Sequence, residues 1–337
     1  MRLTYVTPRP ELGGGAKVVF QHAGLLQAAG HDVTVLGEGP LPEWSALRAP
    51  YVDYSAALPA MPSQDLVIAT FFPTVAVAER LGCGPIAHLC QGYEGALIHL
   101  RPRLREIEAV YARPLPTLAV TPALAEFLHR RFGRESRVVS PCVDPLFRPV
   151  LRWRPRRPAW IAVPGIFEAE IKGVPTALAA LRELRRETGA RLLRFSILPL
   201  SAEERRLLEP DRYLCHAAPP VIARALRRMD LLLFPSREGE GFGLPLLEAL
   251  ASGVPAVASS IAATRYFASG AAELVAEGDA AAMASAAGAL LGDPRRWRRQ
   301  RRLGFAAAAR FRPERVAPEL DAAVAWAAQT ARQGGRP

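Results

Sequence analysis

Short apolar runs alternate along the chain with segments of helical periodicity. Residues 3–7 and 31–36 have the composition of buried strands, and residues 16–29 between them place apolar side chains at helical spacing. Three glycines, 13–15, precede this helix, and Gly30 follows it as a C-terminal cap. Strand, glycine-rich turn, helix and strand in this order predict a βαβ unit.

The same alternation continues to the C-terminus, interrupted at residues 148–158, which are rich in proline and arginine and have the signature of a linker. The predicted strands are 65–70, 85–90, 118–121, 138–140, 160–163, 192–197, 230–234 and 256–259. The predicted helices are 73–81, 122–132, 175–188, 221–229, 245–251, 280–291, 294–310 and 313–331.

Alternating strands and helices require parallel sheets with right-handed crossovers. The expected fold class is therefore α/β, with two doubly wound, Rossmann-like domains that face a cleft. We expect these domains at 1–150 and 151–312, with 313–337 forming a C-terminal helix that packs back on the first. Ligands of such folds bind at the carboxyl ends of the strands, so the cleft is the expected site.

The charge, the cysteines and the apolar runs limit the kinds of protein that the chain could be. The net charge is +11, carried almost entirely by arginine, since Lys17 and Lys172 are the only lysines. A compositional bias of the genome and attraction to anionic partners both account for this charge. The four cysteines show no metal spacing and are expected to be reduced core residues. The chain opens on a strand pattern instead of a leader and has no run long enough to span a bilayer, which predicts a cytoplasmic protein.

The stretch Glu240-Gly-Phe-Gly-Leu-Pro-Leu-Leu-Glu248 carries the clearest chemistry. It follows a buried strand that ends at Phe234, and Pro245 suits the start of a helix. Unpaired amides and the dipole at such a helix start bind anions such as a diphosphate. The two carboxylates suit hydroxyl groups on either side of it, because they accept strong hydrogen bonds.

This segment resembles the EX7E signature of glycosyltransferase family 4, whose members have the GT-B fold and retain the anomeric configuration. The resemblance extends over nearly the whole chain. It includes Gly14-Gly15, residues 30–35, residues 140–144, Phe147-Arg-Pro149, Lys172-Gly173, Asp230, Pro235-Ser236 and residues 249–258.

The resemblance implies a role for each matched position. Lys172 would neutralise the leaving diphosphate, and Gly243 and Leu244, beside Phe242, would offer it backbone amides. Glu248 would hold the ribose hydroxyls and Glu240 the transferred sugar. Gly14 and Gly15 would let the first domain approach the phosphates. Apart from the resemblance, His216 follows a strand and is either a residue that flanks the nucleotide base or an ordinary loop histidine.

The implied reaction is transfer of a sugar from a nucleotide-diphosphate sugar of UDP or GDP type to an acceptor hydroxyl on a glycan, a lipid-linked acceptor or a small molecule. The first domain would be the acceptor side and the second the nucleotide-sugar side. No metal is expected, since no Asp-x-Asp occurs and Lys172 with the helix start would replace its charge. No other cofactor is expected.

Two positions depart from the family pattern. Ile166 stands where the family has a phosphate-binding arginine, a part that Arg237 could take. Gln91 stands where the family tends to have a histidine; its amide can bond a sugar hydroxyl but cannot act as a base near neutral pH. Gln91, Tyr93 and Glu94 follow a strand and are candidate acceptor or sugar contacts, so the candidate catalytic residues are Glu240, Lys172 and Gln91.

Two histidines and one arginine-rich run are expected to have ordinary structural roles. His88 is expected in the core and His22 on the surface. The run from Arg295 to Arg302 forms a helix with arginine nearly all round, typical of a solvated helix, although peripheral contact with an acidic membrane is compatible with it if the acceptor is lipid-linked.

The alternatives are a sugar-nucleotide epimerase or phosphorylase of the same fold, and a basic nucleic-acid-binding protein. A phosphorylase would need a lysine for pyridoxal phosphate, and Lys172 is already assigned. Nucleic-acid binding predicts aromatic residues interleaved with basic ones, and here they are few and scattered, so no nucleic-acid partner is expected.

Overall fold

The computed structural model describes residues 1–334 and divides the chain into two compact units. One unit contains Met1–Cys142 and the helix that begins at Pro313, and the other contains Val143–Arg312. The last three residues of the predicted segment 313–337 lie outside the described residues.

The first unit is built on a seven-stranded parallel sheet in the order β3-β2-β1-β4-β5-β6-β7. Its strands are β1 (Arg2–Thr7), β2 (Asp32–Gly37), β3 (Tyr51–Asp53), β4 (Leu66–Ala69), β5 (Ile86–Cys90), β6 (Thr117–Ala119) and β7 (Ser136–Val138). Its helices are α1 (Gly14–Ala28), α2 (Phe72–Leu81), α3 (Leu104–Tyr111), α4 (Pro122–Phe132) and the terminal helix (Pro313–Gly334).

Local sequence explains where these elements begin and end. The central strands β1 and β4 are buried on both faces, as parallel strands covered by helices must be. The Thr121 hydroxyl accepts a hydrogen bond from the Leu124 amide at the start of α4, and Gly133, with φ +66, ends that helix. The terminal helix packs against α1, β5 and β6, and Leu320 and Val324 are fully buried.

The second unit is built on a six-stranded parallel sheet in the order β10-β9-β8-β11-β12-β13. Its strands are β8 (Trp160–Pro164), β9 (Arg191–Ser196), β10 (Arg212–Cys215), β11 (Leu231–Phe234), β12 (Ala256–Ser259) and β13 (Glu273–Val275). Its helices are α5 (Val174–Thr188), α6 (Ala202–Leu207), α7 (Pro219–Leu226), α8 (Leu244–Ala251), α9 (Ala262–Ala268), α10 (Ala280–Gly292) and α11 (Pro294–Ala308). With these numbered, the terminal helix Pro313–Gly334 is α12.

A buried aspartate, Asp230, holds the arginine-rich segment against the second unit. Asp230 is fully buried, and its carboxylate pairs with Arg152 and Arg156 and accepts from the Trp160 amide at 2.8 Å. Trp297 of α11 is also fully buried and donates its indole N–H to the Asp230 carbonyl at 2.8 Å. Asp230 therefore ties the arginine-rich segment 148–158 to the start of β8 and to the base of β11.

The expected α/β class with two parallel sheets is confirmed. Segment 148–158 has no regular secondary structure, and α4 and β12 have the predicted bounds. The predicted strand 138–140 is wrong by two residues, since β7 is Ser136–Val138. The predicted helix 294–310 ends at Ala308 and continues as a 3₁₀ turn.

Five elements were not predicted, namely β3, α3, α6, α9 and β13, and β10 was expected only as a strand before His216, without bounds. All are of eight residues or fewer, too short to show a clear period. Within residues 1–334, no helix combines the length and apolar character that crossing a bilayer requires.

Candidate functional site

The turn between β11 and α8 ends in a glycine with a left-handed backbone. Gly243 caps α8 with φ +96, a left-handed conformation that L side chains rarely adopt. A Cβ at Gly243 would also lie 3.2 Å from the Phe234 ring. The helix begins at Leu244 with Pro245 in its first turn and without a side-chain cap. This helix start matches the predicted one within a residue.

Lys172 and Glu240 meet at this turn. The Lys172 Nζ donates to both carboxylate oxygens of Glu240, at 3.0 and 2.8 Å. The Glu240 side chain is only 10% exposed and the Lys172 side chain 33% exposed. From the sequence, both residues were expected at the nucleotide-sugar site. Their pairing could not be predicted, because 68 residues separate them in the chain.

Gly173 explains how Lys172 reaches Glu240. Its φ is +58, and a Cβ there would lie 2.1 Å from the Pro235 carbonyl oxygen, so only glycine lets the two backbones approach so closely. The Arg237 amide adds a backbone bond to the Ile171 carbonyl at 2.8 Å. The two segments are therefore joined by a backbone hydrogen bond, a tight packing contact and an ion pair.

Aromatic packing fixes the other side of the turn. Phe242 stacks on Phe267 with ring centroids 4.9 Å apart and planes 6° apart, and it meets Phe311 edge-on at 5.5 Å. Phe242 is 5% exposed, so its side chain is part of this group. Glu248 is also 5% exposed, one turn into α8.

A buried ion pair, not predicted from sequence, supports the loop that leads to Lys172. Arg194 and Glu204 are 0% and 1% exposed and form a salt bridge. Arg194 also donates to the carbonyls of Val163 at 2.7 Å and Gly165 at 2.9 Å. Its only sequence signal is an arginine between the apolar residues Leu193 and Phe195 of β9.

The remaining predicted positions of the second unit are more exposed. His216 follows β10 and is the one non-glycine residue with positive φ, +47, among the residues described. Its amide donates to the Ser196 carbonyl at 2.8 Å. Arg237 pairs with Glu170 at 2.7 Å, with both side chains well exposed. Ile166 lies in the loop between β8 and Lys172.

In the first unit, Gly15 and Gln91 come together. The Gln91 side-chain amide donates to the Gly15 carbonyl at 3.2 Å, and a Cβ at Gly15 would lie 3.6 Å from that amide nitrogen. Gln91 is the first residue after β5, and Gly14 and Gly15 open α1. This contact joins two positions that the sequence singled out for different reasons.

Glu94, by contrast, faces the interior. Its carboxylate accepts a hydrogen bond from the Tyr111 hydroxyl, and Glu94 is 6% exposed. Burial raises the pKa of Glu94 to about 7. Tyr93 packs edge-on against Tyr111, with ring centroids 5.2 Å apart, and against Phe127 at 5.0 Å. In this structure the two side chains support the loop after β5.

Arg134 completes this buried network. It is 1% exposed, donates to the carbonyls of Tyr111 at 2.8 Å and Val110 at 2.6 Å, and contacts His88 Nδ1 at 2.9 Å. His88 is fully buried, as expected. His22 is also fully buried, so its predicted surface position is wrong: it lies on the face of α1 that meets Tyr5.

Cysteine placement corrects one more expectation. Cys90 and Cys142 are buried and Cys83 is intermediate, but Cys215 is exposed at the end of β10 and is not a core residue. Among the described residues, none of the four forms a disulfide. Within residues 1–334, no three histidine, cysteine, aspartate or glutamate side chains gather as metal ligands would.

Comparison with known proteins defines the class. Residues 158–293 match the family model described as glycosyl transferases group 1. The chain is 25% identical to a phosphatidyl-myo-inositol mannosyltransferase of Propionibacterium freudenreichii subsp. shermanii, with 78% of each chain covered.

Solved structures agree on the fold. Sucrose-phosphate synthase from Thermosynechococcus elongatus superposes with a TM-score of 0.78 at 20% identity, covering 99% of this chain and 98% of that one. Anabaena HepE in complex with UDP-glucose superposes with a TM-score of 0.76 at 14% identity, covering 96% and 99%.

The two parallel-sheet units and these matches define a glycosyltransferase with the GT-B fold. More particularly, the match to the group 1 glycosyl transferases lies within the second unit, and the turn from Glu240 to Glu248 lies inside the matched residues.

Proposed function

We propose that this glycosyltransferase moves a hexosyl group from a nucleotide-diphosphate sugar to an acceptor hydroxyl, with retention and without a metal ion. The observation that carries the proposal is the glycine-capped start of α8 beside the Lys172–Glu240 pair. In that arrangement the Lys172 ammonium and the positive end of the helix dipole can bind a diphosphate. The Glu240 carboxylate can accept hydrogen bonds from sugar hydroxyls.

Each group has a distinct task in this proposal. The start of α8, at Gly243 and Leu244, and Lys172 hold the diphosphate and stabilise the charge that develops as it leaves. Glu248 binds the ribose hydroxyls, and Glu240 binds hydroxyls of the sugar while orienting Lys172. His216 contributes to the nucleotide end, where the left-handed backbone fixes its direction.

The proposed chemical step needs no base from the protein. The acceptor oxygen attacks the anomeric carbon as the bond from that carbon to the diphosphate oxygen breaks. The acceptor proton passes to the departing phosphate oxygen, so the products are the glycoside and the nucleoside diphosphate. The protein contributes positioning and charge stabilisation.

The relatives support a nucleoside-diphosphate hexose as donor. HepE was solved with UDP-glucose, and the 25%-identical relative is named as a mannosyltransferase that acts on phosphatidyl-myo-inositol. A glycan, a lipid-linked acceptor and a small molecule all fit the proposed step. Gln91, beside Gly15, is the proposed contact to the acceptor or the sugar.

The test is calorimetric titration with UDP, GDP and ADP in the presence of EDTA. We expect one of these nucleotides to bind, and the same nucleotide to be the product when the enzyme turns over the corresponding nucleotide sugar. In Glu248→Ala the affinity for that nucleotide should fall at least tenfold, since a charged hydrogen-bond partner is lost. Absence of binding by all three nucleotides in the folded protein would refute the proposal.

A further inference from the structure

An arginine-rich groove crosses the surface of the second unit, outside the donor turn. The groove has a volume of ≈ 890 Å³. Residues from the segment 148–158, the end of α7 and the junction of α10 with α11 line it: Arg152, Trp153, Arg154, Pro155, Arg156, Arg157, Arg227, Arg228, Leu291 and Pro294. Six of these ten residues are arginines, and none is acidic.

The positive charge of the groove is only partly neutralised. Buried Asp230 pairs with Arg152 and Arg156. For the other four arginines of the groove, no acidic partner is found within residues 1–334. Four uncompensated guanidinium groups in one concave surface create a local positive potential that favours an anionic partner.

Apolar side chains project from the same segment. Leu151 is 82% exposed and Trp153 is 67% exposed, the two most exposed large hydrophobic residues of the described chain. An adjoining groove of ≈ 470 Å³ shares Arg152 and Trp153 and adds Leu151 to the lining. Leucine and tryptophan therefore lie beside the uncompensated arginines on one continuous surface.

This segment is held to the helix beneath it. Arg298 of α11 donates to the Trp153 carbonyl at 2.9 Å, and Arg301 donates to the Val150 carbonyl at 2.6 Å. The guanidinium groups of Arg301 and Arg152 lie 4.6 and 5.4 Å from the centre of the Trp297 ring. The arginines of α11 thus brace the segment, so its exposed side chains project from an ordered backbone.

We propose that this surface docks the protein on an anionic lipid bilayer. The docking patch consists of Leu151, Trp153, Arg154, Arg157 and Arg228. Arginines bind lipid phosphates, tryptophan rests at the level of the head groups, and an exposed leucine gains by leaving water for the acyl boundary. The bases of a single-stranded nucleic acid would stack on Trp153 but would leave Leu151 exposed to water. The bilayer therefore fits the whole patch better.

Vesicle sedimentation tests this docking independently of sugar transfer. The wild type is expected to bind vesicles of phosphatidylglycerol and phosphatidylcholine in equal parts, and not vesicles of phosphatidylcholine alone. Each arginine near an anionic surface strengthens binding by about fivefold, so R154Q/R157Q/R228Q should weaken it by about a hundredfold. The matched control is R182Q/R186Q/R206Q, which removes the same charge at exposed positions on α5 and α6 that do not line the groove.

A second measurement locates the contact. Vesicles with brominated acyl chains should quench the fluorescence of Trp153, while W153F should bind equally well and lose that part of the quenching. Equal binding to neutral and anionic vesicles, equal loss in the patch and control variants, or unchanged quenching in W153F would overturn the proposal. Binding of a single-stranded oligonucleotide without binding of vesicles would overturn it in favour of a nucleic acid.

Discussion

Lys172 and Glu240 neutralise each other in this structure, and the proposed donor would change that balance. A diphosphate that reaches the start of α8 competes with the Glu240 carboxylate for the Lys172 ammonium. Glu240 is therefore a competitor of the nucleotide for Lys172 as well as a proposed partner of the sugar. The two effects can be separated by substitution, because only one of them involves the sugar.

In Lys172→Met we expect the affinity for the nucleoside diphosphate to fall by about 10- to 100-fold, the usual effect of losing a charged hydrogen bond. In Glu240→Gln the affinity should equal or exceed that of the wild type, because Lys172 is released, while turnover falls. Calorimetry and initial rates measure the two quantities. A loss of nucleotide affinity in Glu240→Gln as large as in Lys172→Met would contradict this division of roles.

The buried carboxyl group of Glu94 should make the stability of the protein depend on pH. Burial raises its pKa to about 7, above the 4.5 of an unperturbed glutamic acid. Between these values the unfolded chain has released the proton that the folded chain still holds, so this group lowers stability as pH rises from about 4.5 to 7. The cost above pH 7 is on the order of 3 kcal/mol.

The substitution Glu94→Gln keeps an acceptor for the Tyr111 hydroxyl but cannot ionise. Its free energy of unfolding, relative to the wild type, should therefore increase as pH rises from 5 to 8. Urea unfolding at several pH values measures this difference. Glu126→Gln, which changes an exposed carboxylate on α4, is the control and should show no such trend. A difference that does not vary with pH would mean that Glu94 ionises normally.

At the scale of elements, the start of α8 is set by one backbone conformation. Gly243→Ala would force a side chain into φ +96 and place its Cβ 3.2 Å from the Phe234 ring. We expect a loss of about 1–2 kcal/mol in the stability of the second unit, together with weaker nucleotide binding, because the amides of the helix start would move. Thermal unfolding and calorimetry measure the two effects.

Gly270→Ala is the matched control. Its φ is +72, and a Cβ there meets nothing within 4 Å, so it imposes a comparable backbone strain outside the turn. It should lose comparable stability but keep its nucleotide affinity. If Gly243→Ala also kept its affinity, the start of α8 would not be part of the donor site.

The sequence predicted elements whose periodicity or end signals are strong. Pro122 and Gly133 bound α4, and the apolar run of β12 is unbroken. Strands β3 and β13, of three residues each, depend on their neighbours in the sheet and left no local pattern. The site shows the same division: the turn at Gly243 was predictable, but the Lys172–Glu240 pair depends on distant chain segments.

Buried polar groups were the hardest to predict. Arg194 and Arg134 lie in a chain with so many arginines that composition does not distinguish a buried one from a solvated one. Their partners, Glu204 and the carbonyls of Val110 and Tyr111, become visible only in the folded chain. His22 shows the reverse error, since a polar residue on a helix is usually exposed and this one is buried.

At the scale of the whole molecule, the first unit is discontinuous in sequence. The second unit interrupts it between Cys142 and Pro313, and α12 completes it by packing against α1, β5 and β6. Leu320 of α12 has no exposed surface. The first unit therefore depends on residues that follow the entire second unit in the chain.

Leu320→Ala should reduce the stability of the first unit by about 2–5 kcal/mol, the range for a buried leucine replaced by alanine. Hydrogen exchange followed by mass spectrometry should show faster exchange in α1, β5 and β6 and unchanged exchange in β8 and β11. Leu181→Ala, at a fully buried position of α5 in the second unit, should give the opposite pattern. Because a ligand stabilises the folded unit that binds it against unfolding, UDP or GDP should slow exchange in the second unit of both variants. Uniformly faster exchange across both units in Leu320→Ala would show that the chain unfolds as a single cooperative body.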